Sequence, residues 1–163
     1  MQRSTELAFI GLGANLGNAR GTLDAAFVAL AGLPHTTLQR ASSLYRSTPI
    51  DSSGPDYLNA VVQLETQLTP RQLLSELQRI ELTHGRERPY RNAPRTLDLD
   101  LLLHGSRCIA STGLTLPHPR LHHRAFVLRP LAQLAPELVI AGVGAIGSLL
   151  TNVAAQRAER LVA

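Results

Sequence analysis

Apolar residues recur along this chain at two periods, and the switches between them mark its elements. Leu7-Ala8-Phe9-Ile10-Gly11-Leu12 is an unbroken apolar run that predicts a buried strand. The Gly11–Gly17 stretch reads as a turn into a helix, with Asn15 as its cap. That helix is expected over 17–31, with Leu23, Ala26, Phe27 and Leu30 on one face, and Gly32-Leu33-Pro34 ends it. Residues 36–45 predict a second strand and 47–55 a loop rich in Ser, Pro and Gly. Residues 57–68 predict a third strand, where Ala60, Val62 and Leu64 alternate with Asn59, Val61 and Gln63. Pro70 after Thr69 opens a second helix that runs to His84, and Gly85 stops it.

A further strand is expected over 97–103. Leu97, Leu99, Leu101 and Leu103 alternate there with Asp98, Asp100, Leu102 and His104. Short extended pieces follow at 108–110 and 114–118. A helix is expected over 120–135, interrupted by Pro130, and a weakly amphipathic helical tail over 146–161. The order βαββαβ plus a helical C-terminal extension predicts an α+β, ferredoxin-like fold: one antiparallel sheet with helices on one face. No repeat or linker divides the 163 residues, so a single domain over 1–163 is expected.

Composition narrows the function classes. No apolar run approaches the ~18 residues of a membrane span, and the first residues lack a signal peptide's apolar core. Cys108 is the only cysteine, which excludes an internal disulfide and fits a cytoplasmic protein. The net charge is +4, and all 16 basic residues are arginine. A coding bias accounts for the global count, but nine of those arginines fall between Arg79 and Arg129. The absence of lysine rules out a P-loop, which requires Gly-Lys-Ser/Thr.

Two of the positions on the 97–103 strand carry the chemistry. Residues two apart on a strand share a face, so Asp98 and Asp100 point the same way with Cβ atoms roughly 7 Å apart. Aspartate is uncommon in strands, and adjacent carboxylates repel. A divalent cation removes that cost, and Mg²⁺ is commonly held by one or two carboxylates together with substrate phosphates. Arg86, Arg88, Arg91 and Arg95 immediately precede the pair. Acid beside base makes sense where a polyphosphate lies between them. The plainer alternative is a solvated strand face beside a basic loop.

Ala93-Pro94-Arg95-Thr96-Leu97-Asp98-Leu99-Asp100-Leu101-Leu102 resembles the signature of the 6-hydroxymethyl-7,8-dihydropterin pyrophosphokinase family of folate biosynthesis. The segments 42–46 and 55–60 are similar to the family's pterin-side region. The resemblance implies transfer of pyrophosphate from ATP to the pterin's hydroxymethyl group, with AMP as the second product. It implies two Mg²⁺ ions at Asp98 and Asp100, with Arg86 and Arg95 also catalytic. The pterin would meet Ser47, Thr48, Pro49, Ile50 and Asn59, between the rings of Tyr57 and Phe126. ATP would meet Gln78, Glu81, Arg86, Arg88, Arg95, Leu101, Thr115, His118 and Arg124. The chain departs from the family pattern at Asn92, Gly113 and Pro119, all on the nucleotide side. The implied partners are small molecules only, with neither nucleic acid nor membrane, and the implied state is a monomer.

Two other classes stay open on the residues alone. A different Mg²⁺-dependent phosphoryl transferase would keep the aspartates and lack the pterin pocket. An RNA-binding module would need stacking aromatics on its sheet, and aromatics make up only 4% of this chain. A zinc site at His118, His122 and His123 lacks a nearby cysteine and a fourth ligand.

Overall fold

The structure, a computed structural model, describes residues 4–15, 18–48, 56–84 and 97–161. The elements run β1 (Glu6–Ala14), α1 (Ala19–Ala31), β2 (Thr36–Ala41), β3 (Tyr45–Ser47), β4 (Tyr57–Thr66), α2 (Pro70–Thr83) and β5 (Asp98–His104). Then come the hairpin β6 (Ile109–Ser111) and β7 (Leu114–Leu116), a 3-10 turn (Leu121–His123) and α3 (Ala125–Leu134). The chain closes with β8 (Val139–Ile140), β9 (Gly144–Ala145), α4 (Ile146–Asn152) and β10 (Ala158–Arg160).

The main sheet is antiparallel at every pairing, in the order β10-β3-β4-β1-β5, with β2 also paired to β4. Its two faces bury different cores. On one face Ala8, Ile10 and Leu12 of β1 and Val62 and Leu64 of β4 pack with Leu23 and Leu30 of α1 and Leu73 and Leu77 of α2. On the other, Phe9, Val61 and Leu103 pack with Leu128 and Leu131 of α3 and with Ile146 and Leu149 of α4. The helices within the βαββαβ core share one face as expected. The C-terminal extension covers the opposite face, so helices in the whole chain are not confined to one side.

Local chemistry accounts for the helix starts. Asn18, not Asn15, caps α1: its side chain accepts from the Gly21 N–H at 3.0 Å. The expected turn at Gly11–Gly13 is instead strand, because β1 runs on to Ala14. Thr69 and Gln72 form a capping box at α2, with Pro70 in the first turn.

Three expectations are corrected. The second strand breaks into β2 and β3 at Ser42–Leu44. There the Ser42 hydroxyl accepts the Val61 N–H at 2.9 Å, and Gln133 Oε1 accepts the Ser43 N–H at 3.1 Å. Serine side chains compete with ladder bonds in this way. The helix over 120–135 breaks at Arg124, whose backbone is extended, and α3 continues through Pro130. The tail is helical only to Asn152; Ala158–Arg160 pairs instead with the open edge of β3. A short edge strand left uncovered is a liability, and the tail covers it.

Strand β5 also departs from simple alternation. Phe9 pairs with Leu103 but Ile10 pairs with Leu101, so Leu102 is an extra residue. This bulge puts Leu102 and Leu103 together in the core under α3. His104 is buried, with Nε2 2.9 Å from the Leu68 carbonyl and Nδ1 2.7 Å from Glu6 Oε2.

Candidate active site

The side of β1 that carries Phe9 changes character farther along the strand. After Phe9 the next two residues on that face are Gly11 and Gly13, and the core gives way to a cavity of about 670 Å³. That is the size of a small-molecule site. Gly11 stands between Val61 of β4 and Asp100 of β5; Gly13 stands between Asn59 and Asp98. The two glycines thus form a floor with an amide on one side and two carboxylates on the other. Two strand spacings separate these groups by roughly 10 Å. A methyl group on Gly13 would meet Asn59 Oδ1 at 3.2 Å, so a side chain there would intrude on the amide.

Ser47, Thr48 and Tyr57 line one wall. The other wall includes Arg120, His123, Arg124, Phe126, Val127 and Gln156. Asn59 is only 4% exposed, and its Nδ2 donates to the Ser47 hydroxyl at 2.6 Å. That bond fixes the amide plane and is set by the register of β3 against β4. The Arg124 guanidinium lies 5.5 Å from the centroid of the Phe126 ring, in cation–π range. The break in the helix at Arg124 lets both residues reach the cavity from the first turn of α3.

His118 approaches the acidic pair from the chain after β7. Its backbone N–H donates to the Leu102 carbonyl at 3.0 Å. Its Nδ1 accepts the Arg120 N–H at 3.1 Å, so the neutral ring carries its proton on Nε2. Nε2 lies 3.8 Å from Asp100 Oδ1. Burial lowers the His118 pKa most, and Arg124 and Arg120 lower it further, against an opposing pull from Asp98. The ring therefore favours its neutral form beside the carboxylates.

Of the residues singled out in the sequence, Ser47, Thr48, Tyr57, Asn59, Asp98, Asp100, Arg124 and Phe126 line this cavity together. His118 stands beside it. Gln78 and Thr115 are exposed and are not among the lining residues. Leu101 turns its side chain into the core under α1 and α2, which leaves only its backbone for a ligand. Glu81 is 5% exposed. Its Oε2 accepts the Leu99 N–H at 3.0 Å, so it holds the outer edge of the acidic strand. Pro49, Ile50, Arg86, Arg88 and Arg95 lie outside the described residues.

Sequence reasoning gave Gly11, Gly13, Arg120 and Gln156 no part in the site and weighed His123 only as a zinc ligand. Arg120 and His123 flank the singled-out His118 and Arg124, and their proximity in sequence was a usable signal. A strand with two floor glycines looks like a strand running into a turn, so Gly11 reads as the strand's end and Gly13 as part of the turn. Gln156 gave no signal at all.

Among the described residues no group of three or more His, Cys, Asp or Glu side chains converges as a metal cage. The donor set that does exist is the Asp98–Asp100 pair, opening on the cavity from one face of one strand. It suits a hard cation that completes its shell with phosphate and water oxygens, and the histidines do not supply a tetrahedral zinc site.

Paired carboxylates, arginines and an oriented amide around one cleft on an antiparallel sheet mark a class: small-molecule sites suited to phosphates and a hard cation. Residues 9–136 match the family model described as 7,8-dihydro-6-hydroxymethylpterin-pyrophosphokinase (HPPK). The chain is 43% identical over 155 residues to a 2-amino-4-hydroxy-6-hydroxymethyldihydropteridine pyrophosphokinase of Haemophilus influenzae, covering 94% of this chain and 97% of that protein. It is 42% identical over 154 residues to the enzyme of the same name from Pseudomonas aeruginosa, covering 94% of this chain and 95% of that one. The chain belongs to the HPPK family. Its fold also matches a crystal structure of a triple mutant of Plasmodium falciparum HPPK-DHPS, with a TM-score of 0.75 at 16% identity. That match covers 93% of this chain, which spans 44% of the longer Plasmodium chain.

Proposed function

We infer that this chain transfers pyrophosphate from ATP to the hydroxymethyl group of 6-hydroxymethyl-7,8-dihydropterin, giving the pterin diphosphate and AMP for folate biosynthesis. One observation carries the reading. The Gly11–Gly13 floor holds the Asn59 amide on one side and the Asp98–Asp100 pair on the other, within a single cavity. A pterin against the amide would then present its hydroxymethyl arm toward the carboxylate side.

Asn59 offers the ring edge a fixed amide, with Ser47 holding its orientation. Tyr57 and Phe126 are the proposed faces above and below the ring, and the 47–50 segment its remaining contacts. Asp98 and Asp100 would hold Mg²⁺, two ions with ATP bound. Such ions supply charge neutralisation and alignment of the phosphates. Arg86, Arg88, Arg95, Arg124 and His118 are the proposed phosphate contacts, with Gln78, Glu81, Leu101 and Thr115 on the nucleotide side. The hydroxymethyl oxygen attacks the β-phosphorus, the bond from that phosphorus to the α–β bridging oxygen breaks, and AMP leaves. The hydroxyl proton is lost to solvent. This chain's own residues bind, orient and neutralise, which is what phosphoryl-type transfer chiefly requires.

The strand order of the βαββαβ core, with β4 beside β1 and β1 beside β5, supports a ferredoxin-like arrangement. We assign all 163 residues to one domain, acting as a cytoplasmic monomer on small molecules. No helix among the described residues is long and apolar enough to cross a membrane. The test is AMP release from Mg·ATP with and without the hydroxymethyl pterin. Release that depends on the pterin is expected; release indifferent to it would refute the assignment.

A further inference from the structure

The two walls of the cavity are joined by a segment that follows α4 and lies beyond the residues matched by the family model, which end at 136. Gln156 reaches the α3 wall. Its Oε1 accepts the Ala125 N–H at 2.9 Å, and its Nε2 donates to the His123 carbonyl at 2.8 Å. This matters because Arg124, at the N-cap of α3, gives no side-chain bond to the first turn. Helix N-termini leave donors without intrahelical partners, and Gln156 supplies one acceptor from 31 residues away.

Arg157 reaches the opposite wall. Its Nη1 lies 2.9 Å from Asp56 Oδ2 and 3.4 Å from the Thr48 hydroxyl. Thr48 and Asp56 stand at the two ends of the 49–55 segment, so one guanidinium ties both. Ala158 then pairs with Ser47, whose hydroxyl holds the Asn59 amide. The Ala158 carbonyl also accepts from Arg129 of α3 at 3.1 Å. Three consecutive residues therefore bond to both walls of the cavity.

We propose that Gln156-Arg157-Ala158 is a brace that sets the spacing between the α3 wall and the β3–β4 wall, and that Gln156 and Arg157 are positioning residues for the ring-shaped substrate. The proposal rests on the pterin reading of the cavity. Neither side chain is assigned a contact with the reacting atoms. They act through Phe126 on one wall and Tyr57 and Asn59 on the other, whose separation decides whether a flat ring is gripped. Displacements of about 1 Å at a distance from the chemistry can cost up to 10²-fold, and a pre-set cleft spares the ligand the cost of ordering it.

The experiment is steady-state kinetics and melting on Arg157→Ala, Gln156→Ala, Asp56→Ala, the Arg157→Ala/Asp56→Ala pair and Phe126→Ala. For Arg157→Ala, KM for the hydroxymethyl pterin should rise roughly tenfold. KM for ATP and kcat should stay within about twofold, and Tm close to the parent, because the guanidinium is half exposed. Asp56→Ala should raise pterin KM as well, and the double variant should be no worse than Arg157→Ala alone. Arg157→Lys, added to the set, should recover part of the affinity, since its ammonium keeps the charge that faces Asp56. Equal losses toward both substrates, or a fall in Tm that accounts for the loss, would reduce the segment to general support and overturn the brace. A pterin effect at Phe126→Ala with none at Arg157→Ala or Gln156→Ala would also overturn it and leave the cavity reading standing. No pterin effect at any of them would overturn both.

Discussion

Gly13 owes its importance to its neighbours: Asn59 across one ladder and Asp98 across the other. A side chain here would enter the floor of the cavity rather than strain the backbone. Gly13→Ala should therefore leave the fold intact but press on Asn59 Oδ1, weakening pterin binding by about 1–3 kcal/mol, the usual scale of overpacking. Titration of Gly13→Ala with the hydroxymethyl pterin checks this, and unchanged affinity would show that the amide does not meet the ligand. Asn59 itself was legible in sequence only through the resemblance, because an isolated Asn in a strand reads as an edge or turn residue. Its bond to Ser47 depends on the pairing of β3 with β4, which no local pattern reveals. Asp98 and Asp100 were legible directly, because alternation along a strand is a local property. The bulge at Leu102 begins only after them, so it did not disturb their shared face.

The acidic strand is held at both ends by carboxylates of neighbouring elements. Toward its start Glu81 of α2 accepts the Leu99 N–H, on the edge of β5 that faces away from β1. Replacing Glu81 by Leu removes that acceptor and leaves a backbone donor in a buried place, at a cost of about 1–3 kcal/mol in stability. Denaturant melts of Glu81→Leu test this; a neutral result would mean the strand edge finds another partner. At the end of β5, Glu6 meets Arg107 at 3.0 Å and His104 at 2.7 Å. The bond from Arg107 is the main cause holding the Glu6 carboxyl below its ordinary value, with help from His104 and against some burial. A carboxyl lowered in the folded state stabilises above its unfolded pKa, near 4.5, and that stability is lost as pH falls through the folded value. Between pH 5 and 3 the parent should lose more Tm than Glu6→Gln does; parallel acid profiles would contradict the assignment. Elements with strong period or caps, such as α2 and β1, were legible from sequence. The tail was not, because Ala158–Arg160 has no strand pattern of its own and takes its conformation from the open edge of β3.

At the scale of the whole molecule one sheet serves two cores and a site. The face toward α1 and α2 is apolar along its length, whereas the face toward α3 is apolar at one end and polar at the other. Both cores share β1, β4 and β5, so they should unfold together. Leu64→Ala and Leu128→Ala, fully buried on opposite faces, should each lower stability by about 2–5 kcal/mol in one cooperative transition. Two separated transitions would show that the faces fold independently. The two-sided layering was not legible because the sequence gives each helix an apolar stripe but not the face of the sheet it will cover. Topology settles that, and here the α3–α4 extension both buries the second face and walls the cavity.

The central claim is that the aspartates hold metal for pyrophosphate transfer to a pterin, and the Asp98→Asn/Asp100→Asn double variant tests it most directly. Each change keeps shape and removes one charge from a repelling pair, so the metal-free protein should melt at or above the parent temperature. Metal-assisted charge stabilisation is worth several kcal/mol of barrier, so pterin-dependent AMP release should fall by roughly 10²-fold or more. Melting and turnover are read on the same preparation. Collapse of turnover in a folded protein is the predicted result; near-normal pterin-dependent AMP release from that folded variant would contradict the account.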